Sequence, residues 1–213
     1  MTDPALADAI SARAAAVRDR IGQAALRAGR DPGEVTLVAV TKTRPLATVR
    51  AAVAAGLRDL GENRVGELVA KSDALPGASD GGDVRWHLIG SLQRNKARDA
   101  AARADLFHAL DSRRLADALD KKAADAVPDL LAYAAGLEHV RPVGLMGMAA
   151  FVDDARGLER VVRPAFRRLR ALYDAAPDLS VLSMGMSGDY EVAVEEGATH
   201  VRVGTALFGP RDG

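Results

Sequence analysis

One lysine occupies a position at which covalent chemistry is common in α/β proteins. Lys42 follows the apolar run VTLVAVT (35–41) and shortly precedes Pro45, so it marks the point where a buried strand ends and a helix begins. In barrels and in open parallel sheets, the carboxyl ends of the strands carry the reactive groups. A lysine at such a point can form a Schiff base with an aldehyde. The alternative is a solvated rim lysine, which is the usual situation of this residue type.

The end of the chain contains two consecutive strand ends that suit an anion. The segment SMGMSGD places small residues and the hydroxyl of Ser187 after one apolar run and before a helix. VRVGT then places Gly204 and Thr205 at the end of the next run, where backbone N–H groups and a hydroxyl can bind a phosphate. In barrels, a phosphate site characteristically lies after the last two strands. The alternative is that Gly185, Gly188 and Gly204 are turn and packing glycines.

The other residues that carry chemistry point to no second site. His87, in RWHLIGSLQ, fits a core histidine with satisfied hydrogen bonds, and the four histidines lack the spacing with acids that metal sites need. The absence of cysteine excludes disulfides, thiolate ligands and a cysteine nucleophile. The GxGxxG, P-loop and GxSxG patterns are also absent. We therefore expect neither metal nor dinucleotide chemistry.

The elements that must position these residues alternate between short β-branched runs and longer helical stretches. Seven strand candidates are predicted, at 35–41, 57–63, 84–90, 105–111, 140–148, 179–187 and 200–209. Each except the last precedes a helix, which predicts a parallel sheet with right-handed crossovers. An open doubly wound sheet and a (β/α)8 barrel both fit this alternation, and periodicity does not distinguish them.

The composition is that of an ordinary single-domain globular protein. The chain has 213 residues and 22.3 kDa, with 29 basic and 29 acidic residues. This balance gives no electrostatic basis for a nucleic acid or an anionic membrane as a partner. No apolar run approaches the ~20 residues of a spanning helix, and the first residues carry acids where a signal peptide carries bases. We expect a cytoplasmic protein with one domain over 1–213, in which 1–30 form an N-terminal helix before the first strand.

Five motifs occur in order from residue 35 onwards. They are VAVTKTRP, GENRVGE, WHLIGSLQRNK, GLMGM and LSMGMSGDYEVAVEEGATHVRVGTALFG. Together they closely resemble the pyridoxal phosphate homeostasis protein family, the single-domain relatives of the alanine racemase barrel. The resemblance implies a single-domain (β/α)8 TIM barrel that binds pyridoxal 5′-phosphate (PLP) at its C-terminal mouth.

The resemblance also implies which residues bind the cofactor. The implied positions are Lys42, Asn63, His87, Met146, Ser187, Arg202, Gly204 and Thr205. Lys42 stands at the family's cofactor lysine and is expected to form the internal aldimine. Ser187, Gly204 and Thr205 match the family's phosphate-binding positions, in agreement with the anion site inferred from the residues themselves.

The remaining implied positions surround the cofactor ring. Arg202 is expected to face the pyridine nitrogen, while Asn63 and His87 line the mouth and Met146 packs near the ring. A guanidinium stays charged at ordinary pH, so it donates to this nitrogen and does not leave it protonated. An unprotonated pyridine is a poorer electron sink for carbanions, which disfavours transaminase-like chemistry.

The expected function is that of a carrier rather than of an enzyme. Racemisation needs a second acid/base on the opposite face. In alanine racemases it is a tyrosine from an added domain, for which this chain, ending at Gly213, leaves no room. We expect a monomeric PLP reservoir in intracellular PLP homeostasis, with PLP-dependent apo-enzymes as recipients. The alternatives are an amino-acid racemase or related α-carbon enzyme, and a barrel that binds another phosphorylated ligand without an imine.

The sequence departs from the family between Leu110 and Gly144. Family members carry a strand there, whereas this chain continues from one helical stretch into the next, so one barrel strand is missing between about residues 122 and 126. Either the chain lacks this strand or the printed sequence omits residues. A deletion would expose two sheet edges, which favours omission. In addition, GLMGMAA replaces the commoner GLM-x-I-P, which alters the loop after that strand.

Overall fold

The computed structural model describes residues 3–75, 83–108 and 123–210. Their helices are α1 (Pro4–Arg27), α2 (Leu46–Ala54), α3 (Val65–Asp73), α4 (Ala97–Ala101), α5 (Ala123–Ala135), α6 (Ala155–Gly157), α7 (Arg163–Asp174), α8 (Tyr190–Glu195) and α9 (Thr205–Phe208). Short 3-10 turns occur at Pro32–Glu34 and Arg94–Lys96, and the π-helical segment Leu158–Val162 joins α6 to α7. None of these helices combines the length and the apolar character that crossing a membrane requires.

The described strands form one parallel sheet. They are β1 (Thr36–Val40), β2 (Asp59–Glu62), β3 (Arg85–Leu88), β4 (Leu106–Phe107), β5 (Gly144–Met146), β6 (Val181–Ser183) and β7 (His200–Val203). All of their pairings are parallel, so the carboxyl ends of all seven strands lie at the same edge. The seven predicted strands and their parallel arrangement are confirmed, although each strand is shorter than its apolar run.

The first and the last strand of the chain are neighbours. The strand order is β4-β3-β2-β1-β7-β6-β5, and β1 pairs with β2 through Ala39 and Leu60 and with β7 through Val38 and Arg202. In a doubly wound sheet, by contrast, the strands stay parallel but their order along the sheet reverses at an internal switch point. Sequential order closed by the first and last strands is the arrangement of a barrel. The structure thus resolves the alternative that the periodicity left open.

The barrel is incomplete at its β4 and β5 edges. Within the described residues, no strand lies beyond either edge, so the sheet is a partial barrel of seven strands. The predicted gap between about residues 122 and 126 falls partly on residues 109–122, which lie outside the described residues. The part that is described, 123–126, belongs to helix α5. This arrangement agrees with the prediction of a barrel that is one strand short.

Helix α1 braces the connections that follow three central strands. Its N-cap is Asp3, whose Oδ1 accepts a hydrogen bond from the backbone N of Ala5 at 3.0 Å. Its buried side chains include Ile10, Val17 and Ile21. Through this face α1 packs against α2, α8 and α9, the helices after β1, β6 and β7. Burial of this stripe therefore holds together the loops that carry the predicted site.

The last predicted strand ends earlier than its sequence pattern. The pattern predicts a strand over 200–209, but β7 ends at Val203 and α9 begins at Thr205. The backbone N atoms of Leu207 and Phe208 donate to the carbonyl oxygen of Gly204 at 2.9 and 3.0 Å, which starts a helical turn. The apolar run is continuous because both the strand and the turn are buried, so hydrophobicity alone did not mark the boundary.

Candidate functional site at the carboxyl edge of the sheet

The turn that carries Lys42 lies beside Gly204. Ala39 pairs with Val203 in the sheet, and a Cβ built on Gly204 would lie 3.5 Å from the Cβ of Val40. Lys42 follows Val40 by two residues and is half-buried. In the described part of the chain, no group forms a hydrogen bond or ion pair with Lys42 Nζ. The structure therefore brings the candidate lysine and the candidate phosphate loop to one edge.

Arg44 fastens the turn of Lys42 to the end of helix α9. Its Nη1 donates to the carbonyl oxygen of Pro210 at 3.2 Å, and its Nη2 donates to the carbonyl oxygen of Gly209. The guanidinium also lies 5.9 Å from the ring centroid of Phe208, within cation–π range. These contacts cross between the first and the last βα connection and fix their relative position.

Two backbone N–H groups converge on the hydroxyl of Ser187. The N atoms of Gly204 and Ala206 each lie 3.3 Å from Ser187 Oγ. Both distances are beyond the usual 2.7–3.2 Å for such a bond, and each donor is therefore only weakly engaged. A phosphate oxygen accepts from the same kind of backbone donor, in charge-assisted bonds. The loop after β6 and the first turn of α9 thus combine a hydroxyl and two amides in a place suited to an anion.

The glycines of these loops differ in what they do. Gly185 has φ +91°, and a Cβ on it would lie 2.5 Å from the Cβ of Ala193, so it is a turn and packing glycine. A Cβ on Gly204 would meet Val40 only at ordinary contact distances, and Gly188 has no atom within 4 Å of its Cβ position. The packing interpretation therefore holds for Gly185, and the protein's own packing does not require a glycine at 204.

Arg202 is a buried cation beside this site. The residue is 4% exposed, and it donates from Nη1 to Ser183 Oγ at 2.6 Å and from Nη2 to the carbonyl oxygen of Gly147 at 3.0 Å. Burial lowers the pKa of Arg202 to about 10, and Asp189 opposes this shift. The guanidinium consequently stays charged at neutral pH, as the sequence predicts. These bonds occupy two of its five N–H donors.

A line of buried side chains leads from Arg202 across the sheet interior. Ser183 Oγ is 2.7 Å from His108 Nδ1, and His108 Nε2 is 2.9 Å from His87 Nδ1. His87 Nε2 in turn lies 3.0 Å from Oδ1 of Asp59, at the amino end of β2. A guanidinium only donates and a carboxylate only accepts. With both histidines neutral, every hydrogen bond along the line must therefore be donated in the direction from Arg202 towards Asp59.

The pKa values agree with a neutral His108 and an ionised Asp59. Burial lowers the pKa of His108 to about 3 and that of the neighbouring His200 to about 4. Burial alone would raise the pKa of Asp59, but hydrogen bonds from His87 and Arg85 outweigh it and bring the value to about 2. The histidine rings pack together, with centroids 5.1 to 6.2 Å apart.

The other predicted site residues occupy different environments. Asn63 is exposed directly after β2, and a Cβ on Gly90 would lie 2.3 Å from its carbonyl oxygen, so glycine is needed there. Met146 is the half-buried last residue of β5, and Thr205 is exposed at the start of α9. His87 is 3% exposed with both ring nitrogens bonded, which fits the core-histidine interpretation. That it lines the mouth stays a prediction.

Sequence reasoning missed four groups that belong to this site or to the buried line of side chains leading away from it. They are the side chains of Asp59, His108 and Ser183 and the backbone N of Ala206. The three side chains are polar residues within or next to apolar runs, and this is the signal that was present in the sequence. Their partners come from other strands, which local patterns do not encode. The backbone N of Ala206 could not be predicted from the sequence, because every residue except proline carries such a donor.

Comparison with known proteins gives a consistent result at the level of sequence. The family model of the alanine racemase N-terminal domain matches residues 122–212. The pyridoxal phosphate homeostasis proteins of Pseudomonas aeruginosa and Aquifex aeolicus are 40% and 36% identical to this chain. The alignments cover 95% and 93% of it and 96% and 97% of the relatives. The first extends over 225 residues, more than the 213 of this chain, so that relative carries residues that this chain lacks.

Solved structures extend the comparison to the fold. A protein of unknown function from Bifidobacterium adolescentis is similar with a TM-score of 0.80 and 33% identity over 98% of both chains. PipY of Synechococcus elongatus, solved with PLP bound, has a TM-score of 0.67 and 36% identity over 94% of this chain and 100% of its own. An alanine racemase from Streptomyces coelicolor, at 21% identity and a TM-score of 0.56, shares the fold over 96% of this chain and 59% of the racemase.

Proposed function

Since this chain belongs to the pyridoxal phosphate homeostasis protein family, as its motifs predict, we propose that it binds PLP at the carboxyl edge of its sheet. The observation that carries this proposal is the meeting of an unengaged lysine, Lys42, with two amides that converge on Ser187 Oγ. The bound PLP in the related PipY structure supports it. PLP has an aldehyde at one end and a phosphate at the other. The amine of Lys42 suits the aldehyde, and the two backbone amides suit the phosphate.

Lys42 is the residue that we assign to the aldehyde. Its amine adds to the aldehyde carbon, and loss of one water leaves a reversible imine. The half-buried position of Lys42 limits the water that competes for the product, and no described group has to be displaced from Nζ. Arg44 ties this turn to the end of α9, so the distance between the two ends of the ligand site is fixed.

Ser187, Gly204 and Ala206 are the groups that we assign to the phosphate. The weak 3.3 Å contacts to Ser187 Oγ leave both amides available to a stronger, charged acceptor. Thr205 lies between the two donors and is exposed, so its hydroxyl can join them. We assign Arg202 to the ring nitrogen. Its charge persists at neutral pH, and the bonds to Ser183 and Gly147 use only two of its five N–H donors.

We further propose that the protein stores PLP and passes it to apo-enzymes with little turnover of its own. Racemisation requires a second acid/base, and the tyrosine side chains face the solvent or other helices. Tyr133 is 69% exposed on α5, Tyr190 is 2% exposed beneath Arg20 of α1, and Tyr173 lies 5.7 Å from Arg170 on α7. The names of the relatives describe homeostasis and no reaction, which supports a carrier role. That the carrier is monomeric and cytoplasmic is part of this proposal.

The covalent attachment is tested by absorption and by mass. Purified protein with PLP is expected to show an imine band, and borohydride is expected to fix one pyridoxyl group on Lys42. Lys42→Ala should abolish both signals, whereas Lys96→Ala, which removes an exposed lysine, should leave them unchanged. Wild-type protein that forms no adduct in excess PLP would overturn the assignment of Lys42. If binding then persists and Thr205→Ala weakens it, the protein holds a phosphorylated ligand without an imine.

The carrier role is tested separately from the attachment. Holo-protein is incubated in deuterated water with single amino-acid enantiomers, and the α-proton is followed by NMR. We expect no exchange above that of free PLP, because a poor electron sink opposes it and no tyrosine among the described residues is placed to act as the second base. Sustained exchange at enzyme-like rates would identify a racemase or related α-carbon enzyme instead.

A further inference from the structure

Lys71, near the end of α3, is a buried cation with all of its donors engaged. The residue is 7% exposed, and its Nζ donates to Glu62 Oε1 at 2.8 Å, to the carbonyl oxygen of Thr41 at 2.9 Å and to Glu67 Oε2 at 3.1 Å. An ammonium has three N–H donors. A buried ion pair contributes little net stability compared with apolar packing. The net contribution of this ion pair to stability therefore does not by itself explain why these partners are brought together.

The same cluster holds the residue before Lys42. Besides the bond from Lys71 to its carbonyl oxygen, Thr41 donates from Oγ1 to Glu62 Oε1 at 2.6 Å. Thr41 and Glu62 are both fully buried. Glu62 of β2 therefore holds the side chain of Thr41, and Lys71 of α3 holds its carbonyl oxygen, directly after the end of β1.

The cluster also holds the residue after Lys42. The backbone N of Thr43 donates to Glu67 Oε2 at 2.7 Å, the same oxygen that accepts from Lys71. Thr43 has φ +63°, a left-handed conformation that is rare and strained for a β-branched residue. A strained conformation persists only where the surrounding structure stabilises it. Here the hydrogen bond to Glu67 stabilises the conformation of Thr43.

Lys42 itself lies between these two fixed neighbours and takes no part in the network. Among the described residues nothing bonds its side chain, while the Thr41 hydroxyl and the backbone N of Thr43 on either side of it are both held. Such an arrangement fixes the direction of the Cα–Cβ bond of Lys42 without occupying its amine. A reactive group that is already oriented before the ligand binds reacts faster, because the entropy cost of orienting it does not add to the activation barrier.

We propose that Glu62, Glu67 and Lys71 form a positioning cluster that aims the amine of Lys42 at the aldehyde of PLP. This inference rests on the proposed attachment of PLP to Lys42. The three residues do not touch the ligand. They act through Thr41 and Thr43, so their removal affects how fast and how completely Lys42 reacts while the phosphate contacts remain.

The first test removes the bond to Thr43 and then restores it. Glu67→Ala is expected to lower the rate of adduct formation with PLP by about 10- to 100-fold, the scale on which misorientation acts. Glu67→Gln keeps an oxygen that accepts from the backbone N of Thr43, and it is expected to recover most of the rate. The rates are measured from the growth of the imine band and checked by borohydride trapping and mass. Equal rates in wild type and Glu67→Ala would overturn the proposal.

The second test separates positioning from stability. Lys71→Met removes the cation of the positioning cluster. Arg163→Met removes a half-buried cation of α7, bonded at 2.7 Å each to Glu159, Glu195 and Glu196, none of which belongs to the turn of Lys42. Both variants are expected to lower the melting temperature, but only Lys71→Met should slow the adduct. Equal slowing in both variants would reduce the cluster to a structural role.

The third test uses a background in which Lys42 cannot react. In Lys42→Ala protein, PLP is held through its phosphate alone, and adding Glu67→Ala is expected to leave its Kd unchanged within about twofold. A loss of affinity in this background as large as in the wild-type background would show that Glu67 acts on the phosphate site, against the proposal. These results are separable from failure of the proposed function, in which wild-type protein itself forms no adduct.

Discussion

Ser183 Oγ lies 2.7 Å from His108 Nδ1, and this contact links the two ends of the sheet across the open side, where no described strand lies. His108 follows β4 at one open edge, while Ser183 ends β6, next to the other edge strand β5. Ser183 also accepts a hydrogen bond from Arg202 at 2.6 Å. One hydroxyl therefore links the open side of the barrel to the buried cation that we assign to the cofactor ring.

Removing this hydroxyl is expected to destabilise the protein. Ser183→Ala leaves His108 Nδ1 and one donor of Arg202 buried without a partner, which costs about 1–3 kcal/mol of unfolding free energy. Ser180→Ala, an exposed change just before β6, is the matched control and is expected to lie within about 0.5 kcal/mol of wild type. Denaturant unfolding measures both. Equal stability of the two variants would contradict a structural role for the line of side chains.

The protein is expected to lose stability in mild acid. Burial lowers the pKa values of His108 and His200 to about 3 and about 4, from an ordinary value of 6.5, so the unfolded chain binds protons first as the pH falls. Unfolding free energy then declines below pH ~6.5, by up to about 1.4 kcal/mol per pH unit for each histidine. Asp59, with its pKa lowered to about 2, adds to the loss below its ordinary value of 3.8.

The pH dependence has a matched pair of variants. His108→Gln removes one titrating group from the interior and is expected to flatten the profile between pH ~6.5 and ~4. His139→Gln removes an exposed histidine and should leave the slope unchanged. Stability is measured by urea unfolding across this range. A wild-type profile without slope would mean that the histidines are not neutral in the folded protein.

Ser187 is expected to matter for the ligand and not for the fold. Ser187→Ala removes a hydroxyl from the proposed phosphate site, and a charge-assisted contact there contributes about 1.5–3 kcal/mol, or about 10- to 150-fold in Kd for PLP. Ser11→Ala, on the exposed side of α1, serves as the control. Binding is measured by PLP fluorescence and folding by thermal unfolding. Loss of fold together with ligand would assign Ser187 a packing role.

Gly204 and Gly185 are expected to respond oppositely to alanine. Gly204→Ala adds a Cβ at ordinary contact distance from Val40, so stability should change by less than about 1 kcal/mol while PLP affinity falls. Gly185→Ala forces a Cβ to within 2.5 Å of Ala193 at φ +91° and should destabilise the fold strongly. Melting temperature and Kd separate the two. Unchanged affinity in Gly204→Ala would remove Gly204 from the phosphate site.

The sequence was sufficient to predict the elements and the residues that directly follow a recognisable strand end. Lys42, Ser187 and Gly204 follow apolar runs, and parallel strands must bring such ends to one edge, so their meeting was predictable. The boundary at Thr205 was not, because a buried strand and a buried helical turn share the same apolar composition. Periodicity also left the strand order undefined, whereas the missing strand was predicted through the resemblance to the family.

Residue order determined which elements form and in what direction they run, because backbone periodicity and turn chemistry are local properties. The tertiary structure decided which polar groups meet. Lys71 reaches Thr41 from thirty positions along the chain and Ser183 reaches His108 across seventy-five. Whether a buried polar atom finds a partner depends on distances between strands, and no window of sequence contains both groups.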